Sequence, residues 1–269
     1  MKKSLFFILF SLITLLSFAQ EGQKTTQPND TTKNISTPIG EVSDTYLKRA
    51  RIYALEKQYE EAYLNYLKAV NTDSLNPLLS LEVARFCDAK NQTERAIRFY
   101  QQTLKNTKRE TSKIGVLNNL GALLIKSNHH SEALEYLLQG LKIFEQLPKS
   151  QVQSQSFDSE IASIQVNLGV LYSNQDKNTK AAAAYNEALF IYERLAKQNG
   201  EKHHSGKALV LMNLGILKKQ LGKFTEAKAS YLQAISIFEQ LAEQNSQEYE
   251  FDLARTRMNL GAMYNALYQ

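Results

Sequence analysis

Leu117-Asn118-Asn119-Leu120-Gly121-Ala122-Leu123-Leu124 is the stretch on which the fold turns, because its centre returns three more times. Asn-Leu-Gly also stands in the middle of the segments 165–172, 211–218 and 257–264. The four glycines, Gly121, Gly169, Gly215 and Gly261, are spaced 48, 46 and 46 residues apart. A fixed period of that size marks an architecture of stacked structural repeats.

A second pattern runs beside the first. Ala62, Tyr66 and Ala69 are spaced by four and three residues, as one buried helix face requires. The spacing returns at Ala96, Tyr100 and Thr103, at Ala133, Leu137 and Gly140, at Ala181, Tyr185 and Ala188, and at Ala227, Tyr231 and Ala234. The first member of each set lies twelve residues after a small residue: Ala50, Ala84, Gly121, Gly169 or Gly215. These offsets describe one helical hairpin used five times, with a sixth begun at Leu253. A glycine inside a helix costs about 1 kcal/mol relative to alanine. Its return at one register implies that a partner side chain enters there, and the aromatic at Tyr66, Tyr100, Tyr185 or Tyr231 is the candidate.

This small-then-Ala-aromatic-Ala arrangement resembles the tetratricopeptide repeat. In the third repeat the family's places are filled by Leu117, Leu120, Gly121, Leu124, Ala133, Leu137 and Gly140. In the fourth they are filled by Gln165, Leu168, Gly169, Tyr172, Ala181, Tyr185 and Ala188, and in the fifth by Leu211, Leu214, Gly215, Lys218, Ala227, Tyr231 and Ala234. The resemblance implies an all-α fold, a right-handed superhelical solenoid of antiparallel helix hairpins. Its repeats fall at about 43–76, 77–110, 114–155, 162–200 and 208–247, with a half-repeat at 254–269. The first two keep the family's usual length, although Arg49 replaces a leucine in the first. The later repeats are longer and similar to those of kinesin light chain, so their helices should run near 20 residues, or about 30 Å.

Ahead of the repeats, residues 1–19 read as a signal peptide: Lys2 and Lys3, an apolar core from Leu5 to Leu16, then Ser17-Phe18-Ala19 with Gln20 as the new N-terminus. The alternative is an uncleaved anchor, but an apolar run of about 15 residues falls short of the ~20 that span a bilayer. Residues 20–42 are polar and form a linker that cannot bury enough surface to fold alone. Asn29 and Asn34 begin glycosylation triplets that matter only in a eukaryotic host. The expected destination is outside the cytoplasm, the periplasm first, with no stable membrane insertion after cleavage.

Composition narrows the function. The 32 basic and 27 acidic residues are interleaved rather than clustered, without the basic stripe that nucleic acid needs. The single cysteine, Cys87, excludes an intrachain disulfide framework and reads as a buried, inert core thiol. His129-His130 and His203-His204 are the only histidines and have no ligand-spaced Cys or carboxylate around them. No nucleophile elbow, phosphate-binding loop or acid–base carboxylate pair is present. The chain is therefore expected to be non-catalytic, with no cofactor and no metal.

The candidate binding residues come from the asparagine row Asn119, Asn167, Asn213 and Asn259. Asparagine is a mediocre helix former, so four at one register need a reason. In the similar peptide-binding repeats such amides line the concave groove and grip the main chain of an extended ligand, which an amide's paired donor and acceptor suit. The other reading of the row is a structural ladder between adjacent repeats. Around it the groove would be lined by Asn118, Val166, Val170, Met212, Ile216, Met258 and Ala262. Arg51 and Arg85 would give it a basic end, or serve as solvated surface charge. The expected role is a scaffold or adaptor holding a protein or peptide segment in that groove. The alternative is the sensory input module of a membrane-bound regulator, and the oligomeric state stays open.

Overall fold

The structure, a computed structural model, describes residues 38–148, 157–199 and 203–267. The signal peptide, residues 20–37 of the linker, Asn29 and Asn34 lie outside the described residues. Eleven α-helices and no strand are found among the described residues. They are α1 (Pro38–Leu55), α2 (Tyr59–Thr72), α3 (Pro77–Ala89), α4 (Thr93–Asn106), α5 (Glu110–Lys126), α6 (His130–Glu145), α7 (Asp158–Asn174), α8 (Asn178–Asn199), α9 (His204–Gln220), α10 (Phe224–Gln244) and α11 (Ser246–Leu267). The fold belongs to the α–α solenoid class.

The chain divides into two compact units, Met1–His129 and His130–Gln269. In the first, α1 packs on α2, α3 on α4, and α4 on α5. In the second, α7 pairs with α8 and α9 with α10, while α6 and α11 pack against α7 and α10. Helix α9 also touches both α7 and α11, so the first helices of successive hairpins lie side by side.

Each hairpin turns in the same way. Lys57, Asn91, Asn128, Asp176 and Gly222 have φ between 55° and 73°, and each follows the small residue of its repeat by seven positions. At every one of these turns the next amide reaches back five residues. Gln58 N bonds Tyr53 O at 2.9 Å and Lys223 N bonds Lys218 O at 2.9 Å, with Gln92, His129 and Lys177 equivalent. This left-handed closure satisfies the last carbonyls of the first helix and reverses the chain. Its register is shared, yet only one of the five residues is glycine.

Two helix starts lie ahead of the positions read from the sequence. Helix α1 begins at Pro38, inside the stretch taken as linker, where a proline's fixed φ suits a helix's first turn. The Ser43 hydroxyl then ties α1 to the Ala69 carbonyl at 3.2 Å. Helix α11 begins at Ser246 rather than near 254, separated from α10 by Asn245 alone. The expected helix length holds for the second helices α8 and α10, at 22 and 21 residues, whereas α7 and α9 have 17.

The core is built on the small-residue register. A Cβ on Gly215 would meet Tyr231 Cδ1 at 2.8 Å and Cζ at 3.0 Å. On Gly169 it would stand 2.5 Å from Tyr185 Cδ1. Ordinary carbon contacts lie at about 3.5–4.0 Å, so each ring occupies the volume that a side chain would need. Tyr185 is 3% exposed and Tyr231 fully buried. Cys87 is also fully buried, and desolvation pushes its thiol up to about 12, the inert state expected of it.

Candidate functional site

The face offered by the first helices is polar and engaged at its N-terminal end. Arg51 on α1 donates from Nε and Nη2 to the two oxygens of Glu82 on α3, at 2.7 and 2.6 Å. Such a fork fixes both side chains more firmly than a single contact would. The Tyr66 hydroxyl donates to the same carboxylate at 3.2 Å, and burial with Glu82 raises its pKa, keeping it protonated. Arg51 stays exposed but is committed to this bridge. Arg85 is half-buried, close enough to Tyr100 to act on its titration, and engaged in an interaction of its own.

Glu82 stands two residues before Ala84, which is the place the asparagines hold before the glycines of later repeats. That correspondence explains Asn119. Its amide lies near enough to the Tyr100 hydroxyl to act on that group's titration, and the hydroxyl itself donates to Asp88 at 3.5 Å. In both cases the aromatic that fills one hairpin extends its hydroxyl to the row position of the next. Asn119 thus sits beside the aromatic of the preceding hairpin, a neighbour that no local sequence pattern encodes. At the next step Leu137 stands where the tyrosine would be, so the hydroxyl is missing. At the last tyrosine, the Tyr231 hydroxyl is buried without a hydrogen-bond partner among the described residues.

The remaining row members divide by burial. Asn213 and Asn119 are half-exposed, whereas Asn167 and Asn259 are each 3% exposed. Of the expected lining, Val170, Ile216 and Ala262 are half-exposed on α7, α9 and α11 in one register. Asn118, Val166 and Met212 are instead buried and not open to a ligand. For Met212 the reason is plain: it lies one turn before Gly215, on the side of α9 that α10 covers. Met258 holds the same place on α11 but is 62% exposed. Asn118 and Asn167 each have polar partners.

One packing contact escaped the sequence reading. A Cβ on Gly206 at the start of α9 would meet the Tyr192 ring of α8 at 2.5 Å, and the Tyr192 hydroxyl shares a 3.1 Å hydrogen bond with Ser163 of α7. One ring therefore binds three helices. No equivalent glycine stands at that register in the other repeats, so periodicity gave no signal for it.

Among the described residues no group of three or more His, Cys, Asp or Glu is placed to hold a metal ion. No described helix is long and apolar enough to cross a membrane. His129 is exposed in the turn after α5, and His203 immediately precedes α9.

Comparison with known proteins agrees with this geometry. Four family models, each described as tetratricopeptide repeat, match residues 43–74, 79–113, 114–147 and 160–240, between them more than half of the chain. Curated protein sequences return no match. Among solved structures, BtubC (BKLC) from P. vanneervenii superposes with a TM-score of 0.56 at 19% identity, over 86% of this chain and 85% of that one. A putative kinesin light chain from Podosopora anserina, with nearly identical TPR-like repeats, gives 0.53 at 20% identity over 75% and 96%. PilW, a type IV pilus biogenesis factor, gives 0.52 at 17% over 84% and 90%. At these identities the likeness is one of fold. With hairpin register, glycine sockets and family models in agreement, the chain belongs to the tetratricopeptide-repeat family.

Proposed function

We propose that this protein is a non-catalytic scaffold that holds an extended segment of a partner protein against the first helices of its hairpins. The observation that carries the reading is the half-exposed row Val170, Ile216 and Ala262 on three neighbouring first helices, with the Asn213 amide beside it. Apolar side chains at one register contact a ligand's side chains, while an amide pairs with its peptide units whatever their sequence. The export signal at residues 1–19 would deliver the scaffold outside the cytoplasm, with Gln20 as the first residue of the mature chain.

The test is a peptide array probed with the purified chain. Ile216→Asp and Asn213→Ala should each abolish or weaken binding to the peptides that the wild type retains, with the circular dichroism spectrum unchanged. Retention of the same peptides by both variants would remove the first-helix face from consideration.

A further inference from the structure

We infer that the cleft between α1 and α3 receives a basic side chain, arginine or lysine, of a partner protein. The site lies wholly within the first unit and does not rest on the row of α7, α9 and α11. The cleft measures about 340 Å³. It is walled by Asp44, Leu47 and Arg51 of α1, by Asp73 just after α2, and by Leu78 and Glu82 of α3. That volume falls at the lower end of the range for ligand pockets.

Hydrogen-bond accounting selects the charge of the occupant. Each donor side chain on the lining is already turned to an acceptor. Arg51 is forked onto Glu82, the Ser43 hydroxyl donates to the Ala69 carbonyl at 3.2 Å, and the Asn76 amide donates to Asp73 at 2.9 Å. The N-terminus of α3, where an anion would otherwise find free amides, is closed as well. Pro77 has no N–H, and Asn76 Oδ1 accepts from Leu78 N at 3.1 Å and Leu79 N at 3.4 Å. What the lining still offers is acceptors. Asp44 is exposed and Asp73 half-buried, and among the described residues neither has an ion-pair partner. The Arg51–Glu82 fork cancels internally, so the surplus negative charge sits on those two carboxylates.

The walls narrow the class further. Leu78 is 74% exposed and Leu47 half-buried, which puts hydrocarbon beside the carboxylates. Lysine and arginine join an apolar stem to a charged head and use both kinds of surface at once. A metal ion would gain nothing from the leucines, and among the described residues no three carboxylates are gathered closely enough to hold one.

An NMR titration of the isotope-labelled full chain tests this. The probes are the peptide acetyl-Ala-Ala-Arg-Ala-Ala-amide and the same peptide with citrulline, which keeps the shape of arginine without its charge. The arginine peptide should give saturable shifts of the backbone amides at 44–51 and 73–82, and the citrulline peptide should not. Asp44 is exposed, so Asp44→Asn should fold as the wild type does and weaken the arginine peptide by about fivefold. Leu78→Ala should weaken it as well. An Asp44→Asn chain that loses the arginine peptide yet keeps the peptides bound through Ile216 would separate this cleft from that row. Equal binding of the citrulline peptide, no saturable shift from the arginine peptide, or indifference to Asp44→Asn would overturn the inference. Shifts at the same amides from a glutamate counterpart would overturn it in favour of an anion, and shifts on concentrating the chain alone in favour of a second copy.

Discussion

Gly169→Ala isolates the packing rule on which the hairpins depend. The new Cβ would stand 2.5 Å from Tyr185 Cδ1 and 2.8 Å from Cζ, about 1 Å inside ordinary contact. Tyr185 is 3% exposed, so the ring cannot swing into solvent. Overpacking of this kind costs about 1–3 kcal/mol, while replacing a mid-helix glycine with alanine returns about 1 kcal/mol. The net is a destabilisation of about 1 kcal/mol, or a melting midpoint lower by roughly 2–4 °C. Gly115 in α5 supplies the control, because a Cβ there meets nothing within 4 Å. Gly115→Ala should therefore raise the midpoint by a similar amount. Thermal melts followed by circular dichroism compare the two directly. A double variant sharpens the test: with Tyr185→Leu, the cost of Gly169→Ala should fall by about 0.5 kcal/mol or more through coupling of the pair. The third repeat already places Leu137 at that register. If both alanine variants shift the midpoint in the same direction, or the double variant shows no coupling, the socket argument fails.

Three further outcomes are expected. Lys57→Gly should stabilise the chain by about 0.5–1 kcal/mol, since a lysine held at φ 62° is strained where glycine is not; a lower midpoint in urea melts would contradict this. Tyr231→Phe should leave stability unchanged or raise it by about 1 kcal/mol, because the hydroxyl it removes is buried without a partner, whereas Tyr66→Phe should cost about 1 kcal/mol through its lost bond to Glu82; equal losses would refute the distinction. Burial raises the Asp88 carboxyl above its ordinary range, outweighing the Lys126 charge and the Tyr100 hydrogen bond. Between the unfolded value of about 4 and the folded one, the native state binds more protons, so stability rises as pH falls through that window. Asp88→Asn should thus melt above the wild type at pH 7, with the gap closing toward about pH 4, and a gap independent of pH would show that this carboxylate carries no folding penalty.

The repeats were readable because their chemistry is periodic. Glycine and tyrosine cannot exchange places in a closed hairpin, so their sixteen-residue offset survives in the chain as written. The turns shared a register too, yet Lys57, Asn91, Asn128, Asp176 and Gly222 are of four residue types, and their backbone reveals the likeness. Tyr192 on Gly206 stayed hidden because it occurs once. The candidate site was half legible. Spacing identified Val170, Ile216 and Asn213 as members of one helix stripe, and they are half-exposed. It also drew in Asn118, Val166 and Met212, whose burial depends on what packs across from them rather than on their own helix. Asn119 illustrates the same limit, because its nearness to Tyr100 comes from stacking one hairpin on another.

The assignment of recognition to the first helices is tested most directly by site-specific photo-crosslinking in native extract. A photoreactive residue at Ile216, half-exposed on α9, should capture a discrete partner band. The same residue at Leu232, 46% exposed on α10, should not. Capture from position 232 with none from 216 would contradict the account.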